Sequence, residues 1–108
     1  MDNNLQDKLK VLKLGYIKKL EGIIPEFKVL LQQIGASFND ELYSKVHTIS
    51  GTSGMYGLNE LSDTSTEFEV YLKEIKNDPS LHNEVELKEK LTKYIENIEN
   101  IIKGENNG

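Results

Sequence analysis

The stretch His47-Thr48-Ile49-Ser50-Gly51-Thr52-Ser53-Gly54-Met55-Tyr56-Gly57 decides how this chain reads. Wound at about 3.6 residues per turn, it puts Leu42, Val46, Ile49 and Ser53 on one stripe that can face a core. His47 points well away from the middle of that stripe. Its neighbours on its own face are Tyr43 and Ser44 one turn earlier, Ser50 and Gly51 one turn later, and then Gly54. An imidazole therefore stands over a helix surface pared almost to backbone. Glycine in a helix interior costs about 1 kcal/mol relative to alanine, so Gly51 and Gly54 are expected to let something bulky approach the ring.

The run His47-x-Ile49-x-Gly51-x-Ser53, with Gly57 closing the helix and Leu61 beyond it, resembles the signature of histidine-containing phosphotransfer (HPt) domains. The match covers His47, Ile49, Gly51, Thr52, Ser53 and Gly57. It departs at Ser50, where that family usually carries lysine. The resemblance implies an all-α, antiparallel up-and-down four-helix bundle with a short leading helical segment. It also implies that His47 carries a phosphoryl group exchanged with the aspartate of a response regulator receiver domain, or received from a hybrid histidine kinase.

The rest of the chain agrees with a bundle. Its 108 residues suit one domain, read as 1–108 with flexible tails at 1–4 and 105–108, and 37% hydrophobic with 29% charged residues suits helices. All thirteen basic residues are lysine, and the net charge of −5 argues against a nucleic-acid-binding face. Cysteine is absent, which excludes disulfides and thiol chemistry. No stretch approaches the ~20 apolar residues of a membrane span, and the charged N-terminus lacks the apolar core of a secretion signal. A cytoplasmic monomer is expected.

Leu5, Leu9, Leu12, Tyr16, Ile17, Leu20 and Ile23/Ile24 recur at helical spacing, and all are read as core. Pro25 either kinks one long helix or starts a second, running to Ile34. After a short linker, Asn39 or Ser37 can cap the helix that carries His47, with Asp40 and Glu41 in its first turn. Leu58, Leu61, Ser65, Phe68, Leu72 and Ile75 form a bundle seam ending at Asn77-Asp78-Pro79. Ser80 offers a cap for a last helix, whose stripe starts at Val85 and stops at Gly104. His82 reads as a surface or capping residue. Glu86 with Lys90 and Glu89 with Lys93 are expected as helix ion pairs.

Neutral imidazole is a nucleophile near neutral pH, and phosphoryl transfer is mostly positioning plus charge neutralisation. The sequence offers no phosphate-cradling loop, and it places no acid at helix-neighbour spacing from His47. The phosphoryl donor and Mg²⁺ are thus expected from the partner, with no cofactor or metal of the chain's own. The docking face is expected at Tyr43, Ser44, Ser50, Gly51 and Gly54, with Leu58 or Asn59 at its edge, whereas Ile49, Ser53, Gly57 and Leu61 hold the frame. Lys28 or Lys73 could replace the charge that Ser50 lacks. The alternative reading is a helical protein that docks on a receiver domain without carrying phosphate.

Overall fold

Leucine and lysine, both good helix formers, make up half of the fourteen residues before Gly15, and nothing there breaks a helix. The computed structural model, which describes residues 2–107, accordingly winds a single helix α1 over Asp2–Gln33. It continues unbroken past Pro25. A proline inside a helix costs about 3 kcal/mol. Ile24, Phe27 and Leu30, buried on either side of it, each contribute about 1.5–3 kcal/mol, which outweighs that loss. The leading segment expected ahead of the bundle is the front of α1 itself.

Three further helices follow: α2 (Asp40–Ser53), α3 (Asn59–Asn77) and α4 (Glu84–Asn107). They run up and down, with α2 packed chiefly on α3 and α1 on α4, as expected for an all-α four-helix bundle. No strand occurs among the described residues. Asn39 caps α2, its side chain accepting from the Leu42 N–H at 3.1 Å. At the far end a single 3₁₀ turn (Gly54–Tyr56) leads to Gly57, which adopts φ +77°. Only glycine takes that left-handed conformation without strain, and the Leu58 N–H then returns to the Ser53 carbonyl at 3.1 Å.

Between α3 and α4, Asp78 caps a short 3₁₀ turn (Pro79–Leu81). The cap of α4 is Asn83, which accepts from the Glu86 N–H at 2.9 Å, and not Ser80. His82 binds the Gly35 carbonyl through Nε2 at 2.6 Å and so ties the α3–α4 connection to the α1–α2 linker. Gly104 does not stop α4. Helix extends over residues 105–107 as well as 2–4, where tails were expected, and Glu105 pairs with Lys13 at 3.3 Å; Met1 and Gly108 lie outside the described residues.

The core takes one stripe from each helix: Ile17, Leu20 and Phe27; Leu42, Val46 and Ile49; Leu61 and Leu72; Leu87, Leu91 and Ile98. Ser65, the polar residue in the α3 seam, is fully buried and hydrogen-bonds the Tyr94 hydroxyl at 2.6 Å. Burial pushes the Tyr94 phenol well above its usual range despite that bond. Three positions of the expected core stripe do not join it. Leu5, Leu9 and Leu12 are more than half exposed, because no other helix of the described residues packs on the front of α1. Val85 is exposed for a similar reason, at the very start of α4. Of the ion pairs expected along α4, neither forms; Lys88 pairs with Glu84, and Lys90 lies 4.8 Å above the Tyr71 ring.

Candidate functional site

The two faces of α2 divide as their spacing requires. Leu42, Val46, Ile49 and Ser53 are buried, and Ser53 donates to the Ile49 carbonyl one turn back at 2.7 Å. His47 lies on the opposite side, its side chain 66% exposed. Thr52 sits beside the core and accepts from the Tyr16 hydroxyl at 2.8 Å, its own proton going to the Thr48 carbonyl. Tyr16 also stacks on Tyr56 at 4.5 Å, which anchors the end of α2 to α1.

α2 and α3 approach closely because small residues line their contact. A Cβ added at Gly54 would lie 3.3 Å from the Ser62 Oγ. One turn along, the Ser50 hydroxyl meets the Thr66 hydroxyl at 2.7 Å. Thr66 donates its own proton to the Ser62 carbonyl, so Ser50 must be the donor in that pair. Further along, Lys76 reaches Asp40 at 3.4 Å.

In this register α3 delivers Glu69 to the histidine. Its Oε1 lies 2.9 Å from His47 Nδ1. A carboxylate only accepts, so in the neutral ring Nδ1 carries the proton and Nε2 the lone pair. Nε2 has no hydrogen-bond partner among the described residues. The ring is steadied from a second direction by Tyr43, nearly parallel to it with centroids 6.2 Å apart. Tyr43 in turn leans on Phe38 and holds Lys76 5.1 Å above its face.

Sequence reasoning looked for an acid one helical turn from His47 and found none; the acid comes from the next helix. A polar Glu69 between the buried Phe68 and Leu72 was visible as a solvent-side residue of α3, but its distance from His47 depends on how the two helices register. The other expected site residues divide. Tyr43, Ser44, Ser50, Gly51 and Gly54 share the His47 side of α2, and a Cβ at Gly51 would meet nothing, which leaves the surface beside the ring open. Gly54 instead answers to its close contact with Ser62. Ile49, Ser53 and Leu61 are core, and Gly57 forms the turn. Leu58, expected at the docking edge, is buried, leaving exposed Asn59 there.

Lys28 does not stand in for the missing lysine, since it pairs with Glu99 on α4 at 3.7 Å. Lys73 is exposed on α3 one turn beyond Glu69. Among the described residues, no group of three or more His, Cys, Asp or Glu side chains is placed to hold a metal ion, and no helix is long and apolar enough to cross a membrane.

Comparison with curated proteins and with solved structures gave no match. A family model did. The Hpt domain model matches residues 19–101, which include all of α2 and α3 with His47 and Glu69, and the chain belongs to the Hpt domain family.

Proposed function

We propose that this chain is a phosphorelay intermediate in which His47 takes a phosphoryl group from the aspartate of a receiver domain and returns it to another. Hpt domains serve phosphotransfer in two-component systems, so the class follows from the family. The assignment of the residue rests on one observation: an exposed imidazole whose Nδ1 is held by Glu69 at 2.9 Å.

The chemistry follows from that hydrogen bond. The Nε2 lone pair attacks phosphorus of the aspartyl phosphate. The Nε2–P bond forms as the P–O bond to aspartate breaks, and the aspartate leaves as a carboxylate. The imidazole ring becomes positively charged, with its Nδ1–H directed at the Glu69 carboxylate. A charge-assisted hydrogen bond is stronger than a neutral one, so Glu69 stabilises the phosphorylated ring as well as orienting it. Return of the phosphoryl group reverses each step. Mg²⁺ and the remaining charge neutralisation come from the receiver domain, which makes this chain a carrier rather than an enzyme in its own right.

Ser50 shapes the lifetime of the product. Its proton is committed to Thr66, so it offers the phosphoryl group neither charge nor a free donor.

The test is transfer from a receiver domain phosphorylated on its aspartate, in Mg²⁺, to the wild type and to His47→Gln. Acid-labile, base-stable label on the wild type alone is the expected result. Failure of label to move from any of several receivers, with one of them still binding both forms, would replace this reading with docking without phosphate.

A further inference from the structure

We propose that Lys73 of α3 holds the phosphoryl dianion on His47, a charge that Ser50 of α2 cannot supply. The inference rests on the phosphorylation of His47 proposed above, and it starts from the register of two helices. Asp40 meets Lys76 at 3.4 Å, His47 meets Glu69 at 2.9 Å and Ser50 meets Thr66 at 2.7 Å, while a Cβ at Gly54 would lie 3.3 Å from the Ser62 Oγ. Along α2 these residues are spaced by seven, three and four positions, and along α3 by the same intervals in the opposite direction. The two helices are therefore antiparallel in one constant register, and the pairs form rungs. One turn from the His47–Glu69 rung, that register sets Lys73 opposite Tyr43.

Side chains on a helix lean towards its N-terminus. In this antiparallel pair His47 thus leans towards the Tyr43–Lys73 rung, and Lys73 leans back towards the His47–Glu69 rung across the same gap. Lys76 gives the reach. From the Asp40 rung its ammonium lies 5.1 Å from the centre of the Tyr43 ring, one rung nearer the histidine. Lys73 starts about one turn further along, and the same reach carries its ammonium to the imidazole.

Charge singles out Lys73. α2 and α3 hold three lysines between them. Lys45 is paired with Glu26 at 2.8 Å, and Lys76 with Asp40. Lys73 is exposed and has no ion pair among the described residues; Glu69, the acid one turn back on its own helix, is engaged with Nδ1. Once the receiver domain and its Mg²⁺ have left, the dianion on Nε2 gives this ammonium a partner.

The consequence is lifetime. In spontaneous hydrolysis the Nε2–P bond breaks and its electron pair returns to Nε2. Water joins phosphorus, and its hydrogens leave with the inorganic phosphate. The transition state is metaphosphate-like, so charge must move off the phosphoryl oxygens as it forms. An ammonium at those oxygens holds the charge in place and slows the loss.

Decay of the phosphohistidine in the purified chain tests this. Labelled phosphoramidate is the donor; it needs no receiver domain, so failed receiver transfer and failure of this proposal are read separately. His47→Gln supplies the background from His82. Lys73→Met is expected to shorten the half-life about threefold to fivefold, the size of an exposed ion pair's contribution, and by less at high salt. Melting should not move, since Lys73 is exposed. Lys73→Arg should keep the wild-type half-life, and Ser50→Lys added to Lys73→Met should restore it. Lys76→Met removes the same charge from the same helix, but one that Asp40 already neutralises, and should change the half-life by less than about twofold. An unchanged half-life in Lys73→Met, an equal loss in Lys76→Met, or a wild-type chain that phosphoramidate leaves unlabelled at His47 would overturn the proposal.

Discussion

The inner and outer faces of α2 draw on the same fourteen residues and obey opposite constraints. On the inner face Leu42, Val46 and Ile49 are at most 2% exposed, and any change of volume is felt by the core around them. On the outer face Tyr43, His47, Ser50 and Gly51 touch mainly α3 or solvent, and their value lies in what they leave open. The inner face fixes where the imidazole stands. Glu69 of α3, set against the outer face, fixes which nitrogen it presents. Stability and chemistry are thus carried by different residues of one helix, and substitutions should separate them.

The largest effect belongs to the inner face. Leu42→Ala removes a fully buried side chain and should lower stability by about 2–5 kcal/mol in urea unfolding, while the folded fraction still accepts phosphate at the wild-type rate. Transfer lost from molecules that remain folded would mean that the two faces are not separable. Next comes Glu69→Ala. Hydrogen bonds to charged groups contribute about 1.5–3 kcal/mol, so transfer to His47 should slow by roughly tenfold to a hundredfold. Because His47 is exposed, the melting temperature should hardly move. Glu69→Gln, which can still accept from Nδ1–H but carries no charge, should fall between wild type and Glu69→Ala in a rapid-quench assay.

Gly51→Ala sharpens the comparison from the other side. The added Cβ meets nothing, so the helix should gain about 0.5–1 kcal/mol, while affinity for a receiver domain, measured by calorimetry, should drop. The matching change at Gly54 should gain less, because its Cβ presses on Ser62 at 3.3 Å. Ser50→Lys tests the outer face last. It loses one exposed hydrogen bond to Thr66, about 0.5–1.5 kcal/mol, and should lengthen the life of the phosphohistidine in a label-decay measurement. An unchanged or shorter lifetime would show that a lysine at this position does not neutralise the phosphoryl charge.

Most of α2 was legible in the sequence because its cues are local. A stripe at helical spacing, an Asn39 cap and a Gly57 that only a left-handed turn explains lie within twenty residues of one another. Pro25 shows the limit of such cues: local preference disfavours a helix there, and the burial of Phe27 and its neighbours overrides it. Leu5, Leu9 and Leu12 show the converse. They are indistinguishable in pattern from Leu20, yet they lie exposed because no other helix of the described residues packs on the front of α1.

The amino-acid sequence by itself determined the amphipathic helices, save whether Pro25 divides the first, the turn at Gly57 and the exposure of His47, since periodicity and backbone preference act over a few residues. Only the tertiary structure decided that Glu69 meets Nδ1 and that Ser50 gives its proton to Thr66. It also decided that, among the described residues, no other helix packs on the front of α1. Those outcomes depend on the register and relative lengths of packed helices, which arise from the fit of side chains far apart in the chain.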